Sequence, residues 1–404
     1  MIIEIILALL LGCTIGTFTG LSPGIHINLV SAGLLASLGY FSGVNEITLV
    51  VFIVAMAITH TFIDFIPSIF LGAPEEDSFL AVLPGHQLLL EGRGQEAVLL
   101  TLFGSLSALP IILIFSFIFI YFLPFVFSFV KGFIAYILIF VSLYLIFREE
   151  KFIVSLVIFV LAGFLGLLTF NLPVEEPLLP LLSGLFGVSG LIVSIKAKIK
   201  LPRQKLISLR DVGLSKIGFF RSSFAAVISA PLCSFLPGIG SGQAAVIGSE
   251  IMGEESRNNR SFLVLIGAIN TIVMALSFVT AYAIGKARTG AAAAIKDILE
   301  EISLSNLVVI ILTVFFAGIF AFFVGVYLSK IFAVNIDKID YGKLSFIILL
   351  ILFFVNLLLS NLYGLLVLIT GSALGVFAIL SGSRRINLMG CLLIPTIVYY
   401  LFLQ

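Results

Sequence analysis

The most regular feature of the chain is the alternation of long apolar runs with short polar connections. Runs of about 20 apolar residues, the length at which a helix crosses a hydrocarbon core, recur from end to end. We place the spans near residues 2–21, 46–70, 97–123, 125–147, 152–170, 178–195, 218–236, 261–285, 304–330, 344–360, 362–381 and 386–403. Two further apolar segments, 27–43 and 241–252, are too short to cross and indicate half-helices or re-entrant arms. The pattern predicts an all-α polytopic membrane protein with about ten to twelve transmembrane helices.

Composition agrees with this pattern and excludes a soluble domain. Hydrophobic residues make up 61% of the 404 residues and charged residues 11%, with a mean hydropathy of +1.27, whereas soluble domains average about 25% charged residues. The net charge of +1 offers no basis for nucleic-acid binding. Cys13, Cys233 and Cys391 stand singly in apolar segments, so we expect small buried side chains. We therefore expect a multi-pass protein of the plasma membrane.

Two apolar segments are interrupted by a Pro-Gly pair. Pro23-Gly24 interrupts the first, Pro237-Gly238 interrupts the second, and 214 residues separate Pro23 from Pro237. Proline removes a backbone donor and glycine relaxes φ, so each pair is expected to break a membrane helix. Irregular backbone at membrane depth is tolerated only inside protein or along a wet cavity. Paired broken helices in corresponding positions of two halves indicate the binding site of a transporter.

A basic stretch divides the chain near its middle. Eight Lys and Arg residues lie from Lys196 to Arg221, against the single acidic residue Asp211. The positive-inside rule places this stretch in the cytoplasm. The predicted organisation is residues 1–195 as a first membrane repeat, 196–217 as a basic cytoplasmic linker and 218–404 as a second membrane repeat.

A second correspondence supports duplication. Charged loops open at Leu71 and at Ile284, 213 residues apart. The first loop is mainly acidic, whereas the second begins with Lys286 and Arg288. If the linker is inside and both termini are outside, each half has an odd number of spans, as an inverted repeat requires. We therefore expect two inverted repeats, each with a Pro-Gly-broken or re-entrant helix.

The helix that starts after each break is a candidate anion site. Its first N–H groups lack helical partners and carry the positive end of the helix dipole. The residues that we assign to substrate binding are Ser22, Pro23, Gly24, His26 and Asn28 at the first break, and Pro237, Gly238, Gly240, Ser241, Gly242 and Gln243 at the second. The alternative is that both breaks are ordinary kinks that pack small residues between helices.

Ionisable and polar residues inside two spans are candidates for ion coupling. His60 and Asp64 are four residues apart, hence on one helix face, with Thr61 between them. Charge at membrane depth is costly, so these residues could relay a proton or bind Na⁺ with backbone carbonyls. Asn270 and Thr271 occupy the comparable place after the second break. The alternatives are pairing near a span end for the first group and interhelical hydrogen bonding for the second. Two ligands are too few for zinc, so we expect no metal site and no cofactor.

Three motifs carry a resemblance to a known family. They are the glycine-spaced segment from Gly16 through Gly20-Leu21-Ser22-Pro23-Gly24, the charged loop of residues 71–78 with its continuation through 84–88 and 91–97, and the glycine-rich segment of residues 236–242. In these the chain resembles the large membrane subunit of the tripartite tricarboxylate transporters, the TctA family, particularly its archaeal branch. The resemblance implies a cation-coupled secondary transporter that binds a carboxylate-bearing anion between two pseudo-symmetric segments. Residues 62–67 and 283–288 depart from the family's pattern, which leaves the identity of the anion open.

The prediction is a secondary active transporter of a carboxylate-type organic anion, working by alternating access, coupled to Na⁺ or H⁺ and not an enzyme. The first alternative is a flippase for a lipid phosphate such as polyprenyl phosphate, held by the same helix N-termini. The second is an intramembrane enzyme or a membrane scaffold. The expected partners are the organic anion or lipid phosphate, the coupling cation and membrane lipid, with no nucleic acid. A homodimer is compatible with the sequence, and accessory subunits are left open.

Overall fold

The computed structural model describes residues 2–22, 43–71, 82–175, 177–196, 202–236, 240–336 and 341–402. Part of the predicted substrate site falls outside these residues: Pro23, Gly24, His26 and Asn28 at the first break, and Pro237 and Gly238 at the second. The predicted short segment 27–43 also lies almost wholly outside them. The remaining predicted site residues are all described.

The described residues are helical and contain no strand. The α-helices are α1 (Ile2–Leu21), α2 (Glu46–Ile63), α3 (Phe65–Leu71), α4 (Val82–Leu90), α5 (Gly94–Val130), α6 (Ile134–Phe147), α7 (Phe152–Asn171), α8 (Leu178–Leu182), α9 (Ser189–Lys196), α10 (Lys216–Phe235), α11 (Ser241–Met252), α12 (Asn259–Ile284), α13 (Gly290–Leu299), α14 (Leu304–Asn335), α15 (Tyr341–Ser381) and α16 (Gly390–Phe402). A π-helix (Ser183–Val188) joins α8 to α9, and 3₁₀ turns cover Lys131–Phe133, Gly253–Arg257 and Arg385–Met389.

Nine helical segments within the described ranges are long and apolar enough to cross a membrane. The all-α polytopic fold is therefore confirmed. Some of these segments contain a break: residue 361 within α15 has φ 59°, the 3₁₀ turn at 131–133 separates α5 from α6, and Asp64 separates α2 from α3. The sequence predicts the first of these boundaries correctly. It misplaces the second at Pro124, which the structure holds inside α5.

The predicted span at residues 178–195 is one helical run, in which α8, the π-helix and α9 follow each other without a gap. Its apolar part, Leu178–Val193, is shorter than the nine candidate spans, so its crossing of the membrane stays a prediction. Gly184 within the π-helix lies against the backbone of α15, where a Cβ would be 2.6 Å from the Leu368 carbonyl oxygen. A widened helical turn at such a contact is the usual setting of a π-bulge.

A glycine stripe packs α1 against α2. Gly12, Gly16 and Gly20 are spaced by four residues, so they lie along one face of α1. A Cβ at Gly12 would be 2.5 Å from the Phe52 carbonyl oxygen, and one at Gly20 would be 2.9 Å from the Ile63 Cβ. Small residues of this kind let membrane helices approach backbone to backbone. Because both residue numbers rise together along the contact, α1 and α2 run parallel.

Helices α5, α10 and α12 run parallel to one another. The Ser222 hydroxyl of α10 donates to the Ser261 carbonyl oxygen of α12 (2.7 Å), so the starts of these helices are neighbours. Glu96 near the start of α5 contacts Arg260 at the start of α12 (2.9 Å). Further along α5, Gly104 packs directly against the Val264 carbonyl of α12. All three helices therefore begin on the same side of the protein.

The first helix pair runs in the opposite direction. Phe70, at the end of α3, lies beside Gly94 at the start of α5, where a Cβ would be 3.0 Å from the Phe70 ring. The α2–α3 segment therefore ends on the side where α5, α10 and α12 begin, and α2 is antiparallel to α12. Helix starts also recur, with 214 residues between Ile2 and Lys216. Opposed direction and recurring bounds support the predicted inverted repeats, whose two-fold relation stays a prediction.

The mid-chain linker packs on the beginning of α5. The Gln95 side-chain oxygen accepts from the Ile207 N–H (3.0 Å), and a Glu96 carboxylate oxygen accepts from the Gly213 N–H (3.2 Å). Glu96 is only 1% exposed and pairs with both Arg93 (2.6 Å) and Arg260 (2.9 Å). We call the side that carries these contacts the linker side. Its predicted cytoplasmic orientation and the predicted domain boundaries stay predictions.

His86 is a partly buried residue among the polar connections of this side. It lies on α4, outside the candidate spans. Burial lowers the pKa of His86 below its ordinary value, and a hydrogen bond with the Ile69 backbone opposes this shift.

Candidate functional site

Helices α2 and α12 are antiparallel, and they belong to the two most buried candidate spans among the described residues. Polar residues of the two helices meet where the helices are in contact. The Asn270 amide nitrogen is 3.2 Å from the Asp64 carboxylate oxygen Oδ2 and 3.3 Å from the Thr61 carbonyl oxygen. Asp64 is 2% exposed and Asn270 is 1% exposed. Asp64, Thr61 and Asn270, three of the five residues that we predict for ion coupling, therefore meet, although two of them are 206 residues apart in the chain. We call these three residues the Asp64 cluster.

Local chemistry explains why a polar contact forms at this point of α2. Pro67 has no N–H, so the carbonyl of Ile63, four residues earlier, loses its helical donor. Helix α2 ends at Ile63 and α3 begins at Phe65, with Asp64 between them. The Asp64 carbonyl oxygen still accepts from the Ser68 N–H (3.3 Å) and also accepts from the Ser68 hydroxyl (2.7 Å), whereas the Thr61 carbonyl accepts from Asn270 of α12 (3.3 Å). The break therefore exposes backbone acceptors next to a carboxylate.

The electrostatics of this position favour a cation. Asp64 lies at the C-terminal end of α2, where the helix dipole is negative and disfavours a second negative charge. The nearby oxygen atoms belong to a carboxylate and to the Thr61 carbonyl, and both are hard ligands. Either a proton on Asp64 or a bound alkali cation would remove the unfavourable charge.

His60 faces a different neighbour. Its Nδ1 is 3.0 Å from the Thr19 hydroxyl on α1, and both side chains are buried. Sequence reasoning missed Thr19, although its place between Gly16 and Gly20 on the packed face of α1 is a usable signal. The fifth predicted residue, Thr271, directs its hydroxyl to the Gly267 carbonyl of its own helix (3.2 Å).

The second break lies at membrane depth. Helix α10 ends at Phe235, and α11 then returns from Ser241 to Met252, before α12 starts on the linker side. Twelve residues of helix rise about 18 Å, so the start of α11 lies within a hydrocarbon core of about 30 Å. This agrees with the prediction that residues 241–252 form a helix too short to cross.

The start of α11 presents buried donors. The Gln243 side-chain oxygen accepts from the Gly240 N–H (2.8 Å), which holds the carboxamide at the first turn of the helix. Gln243 is fully buried, and its Nε2 has no hydrogen-bond partner among the described residues. Ser241 and Gly242 are also buried. With the positive end of the helix dipole, this turn is suited to an anion.

Only one predicted residue of the first break is described. The Ser22 hydroxyl donates to the Phe18 carbonyl of its own helix (2.8 Å). It is partly exposed, and the structure does not bring it to the Asp64 cluster by a described hydrogen bond.

Comparisons with known proteins show the family of the chain. The family model described as Tripartite tricarboxylate transporter TctA family matches residues 6–390, which include both breaks and the Asp64 cluster. An uncharacterized protein of Methanocaldococcus jannaschii is 33% identical over 411 aligned residues, which cover 98% of this chain and 99% of that protein. No solved structure gives a significant match. The resemblance to the archaeal branch is thereby confirmed, and the protein is a membrane component of a tricarboxylate-type transporter that belongs to the TctA family.

Proposed function

We propose that the protein is a secondary active transporter that carries a carboxylate-type organic anion by alternating access, coupled to Na⁺ or H⁺. The single observation that carries this proposal is the Asp64–Asn270 contact, in which a buried carboxylate joins two oppositely directed helices (3.2 Å). Intramembrane carboxylates are costly and therefore rare, so by default they indicate an ion pathway or a coupling step.

The substrate site of the proposal is the second break. Its support is the start of α11, where the helix dipole, the buried Gln243 carboxamide and the small residues Gly240 and Gly242 coincide. Glycine lets a ligand approach the backbone closely, and the unpaired N–H groups of a first turn bind carboxylate oxygens. An organic anion rather than a cation is the cargo that this electrostatic environment supports.

The coupling site of the proposal is the Asp64 cluster. A charged, cation-free Asp64 at the negative end of α2 is the least stable state of the contact. Binding Na⁺ or H⁺ neutralises the charge and changes the contact between α2 and α12. If those helices move relative to each other during transport, cation occupancy biases which conformation is populated.

The test is uptake by the purified protein in proteoliposomes. Radiolabelled citrate and succinate are offered with an imposed Na⁺ gradient or an imposed pH gradient, for the wild type and for Asp64→Asn. We expect gradient-driven uptake by the wild type and its loss in the variant, with carboxylate exchange retained because the α11 site is intact. The matched control is Asp297→Asn, since Asp297 is exposed on α13 outside the candidate spans.

Two results would count against the proposal. Gradient-driven uptake that is equal in the wild type and in Asp64→Asn would remove the coupling role of the Asp64 cluster. Wild-type proteoliposomes that take up neither anion under either gradient would remove the transport assignment itself.

A further inference from the structure

Arg288 lies at the second break and satisfies a backbone acceptor that the break itself creates. In a continuous helix the Cys233 carbonyl would accept from the N–H of residue 237, but that residue is proline and has none. The Arg288 Nε–H donates to the Cys233 carbonyl oxygen instead (3.0 Å). A cationic side chain is thereby held at the last turn of α10, where the break begins.

The segment that carries Arg288 is held in place on both sides. Helix α12 ends at Ile284, and the next residue, Gly285, has a φ of 65°, the left-handed conformation that glycine adopts readily at a helix end. The Thr289 hydroxyl caps the start of α13 by accepting from the Ala292 N–H (3.2 Å) and lies 3.0 Å from the Ser277 hydroxyl of α12. Arg288 is therefore fixed between two helix ends rather than carried on a long loop.

Stabilising the end of α10 is the simplest role for Arg288, since a cation is favourable at a helix C-terminus. The α11 side of the same break supplies an independent observation that this role does not explain. Gln243 Nε2 is a buried donor at the first turn of α11, with no hydrogen-bond partner among the described residues. Five peptide units separate Phe235 from Gly240, so the end of α10 that holds Arg288 and the start of α11 that holds Gln243 flank the same short segment.

Several hydrogen-bond donors flank the break. The Arg288 guanidinium, the Gln243 carboxamide N–H and the first-turn N–H groups of α11 are donors, and an ionised carboxylate only accepts. A planar guanidinium also matches the two oxygen atoms of a carboxylate better than a point charge does. A hydroxyl or amide group of a neutral solute would bring donors of its own and fit less well.

We propose that Arg288 is a substrate-binding residue that pairs with a carboxylate of the transported anion, together with Gln243 and the start of α11. This assignment rests on the proposed function and deepens it, because it names the fixed charge that selects a carboxylate over a neutral solute.

The experiment measures binding of citrate and of inorganic phosphate to the full-length protein by thermal shift, at low and at high ionic strength. Arg288→Gln keeps an N–H donor for the Cys233 carbonyl but removes the charge, and Arg288→Lys keeps the charge without the planar fork. Lys296→Gln is the matched control, because Lys296 also donates to a carbonyl at a helix end, that of Gly285 (2.6 Å), but it lies away from the break. Anion binding stabilises the folded protein by RT ln(1 + [L]/Kd), so the rise in melting temperature across an anion titration reports the affinity.

We expect citrate affinity to fall about tenfold or more in Arg288→Gln and to lose most of its dependence on ionic strength. Arg288→Lys should recover part of the affinity, and Lys296→Gln should behave as the wild type. A purely structural role would lower the melting temperature of ligand-free Arg288→Gln without changing the affinity or its salt dependence.

Three results would overturn the inference, and they are distinguishable. Unchanged citrate affinity in Arg288→Gln removes the role of Arg288 and leaves the transporter proposal intact. Wild-type binding of phosphate in preference to citrate removes the carboxylate assignment. A wild-type protein that binds neither anion removes the proposed substrate site itself and this inference with it.

Discussion

Removing the Asp64 and Asn270 side chains, singly and together, measures how much their contact contributes to the coupling between the two halves of the protein. The perturbation is a double-mutant cycle with Asp64→Ala, Asn270→Ala and the double variant. Asn270 donates to two acceptors, the Asp64 carboxylate and the Thr61 carbonyl, at 3.2 and 3.3 Å. Truncating Asn270 leaves both acceptors without this donor in a site where Asp64 is 2% exposed.

The distances decide the magnitude that we expect. Hydrogen bonds of charged groups in soluble proteins contribute about 1.5–3 kcal/mol, whereas interhelical bonds in a membrane protein average about 0.6 kcal/mol and reach about 1.7. Separations of 3.2 and 3.3 Å are at the long limit for N–H···O bonds, which favours the membrane figures. We expect a coupling energy of about 0.6–1.7 kcal/mol between the two substitutions.

The assay is reversible unfolding of the purified protein in mixed micelles, with the free energy of unfolding measured for all four proteins. Asp64→Ala combined with Thr271→Val is the control pair, because the Thr271 hydroxyl bonds to Gly267 of its own helix (3.2 Å) and the two effects should add. A coupling energy below about 0.3 kcal/mol for Asp64 and Asn270, within the scatter of independent sites, would refute the reasoning.

Three further predictions concern packing, pH and orientation. A Cβ at Gly16 would collide with the backbone of α2, so Gly16→Ala should lower the free energy of unfolding by about 1–3 kcal/mol. The control is Gly132→Ala, which should change the free energy of unfolding little because no atom lies within 4 Å of the added Cβ. Equal effects of the two substitutions would contradict the packing argument. Burial holds the folded-state pKa of His86 below the ordinary 6.5, so its stabilising contribution is complete above pH 6.5 and is lost as the pH falls through the folded-state value. His86→Gln should therefore flatten the dependence of unfolding free energy on pH below 6.5, and an unchanged pH profile would contradict the assigned cause. The three native cysteines are buried, so the exposed thiol of Ser208→Cys on the linker should be the one that reacts. A membrane-impermeant maleimide should label this thiol only in inverted vesicles. Labelling in intact cells would place the linker outside.

Much of the site could be inferred from residue order, because the relevant signals are local. A Pro-Gly pair inside a long apolar run favours a helix break, so the short helix at residues 241–252 follows from Pro237 and its neighbours, whereas Pro84-Gly85 lies within α4. The spacing of His60 and Asp64 places both residues within one span. Their different partners could not be inferred in this way: His60 contacts Thr19 on α1, whereas Asp64 contacts Asn270 on α12. Which neighbouring helix a side chain meets depends on packing angles that periodicity does not encode.

Hydropathy does not encode the tertiary contacts that shape a helix. The segment 178–195 is helical as predicted, but a π-helix lies within it against α15, and its apolar part, Leu178–Val193, is shorter than the candidate spans. The boundary expected at Pro124 is absent because a proline can be accommodated within a membrane helix when neighbouring groups satisfy the freed backbone. The boundary at residue 361, by contrast, is predicted correctly, because a short polar interruption in a long apolar run is visible in the sequence.

Residue order by itself is therefore sufficient for the membrane class, the helical fold, the short helix after the second break and the family, because each depends on composition or on a short motif. The first break, at Pro23-Gly24, lies outside the described residues and stays a prediction. The antiparallel arrangement of α2 and α12, the Asp64–Asn270 contact and the placement of Arg288 on the Cys233 carbonyl are properties of the folded protein. They arise from helix packing between residues that are far apart in the chain. Close backbone contacts at glycines pack α1 on α2 and α5 on α12, and this packing sets which intramembrane polar groups are neighbours.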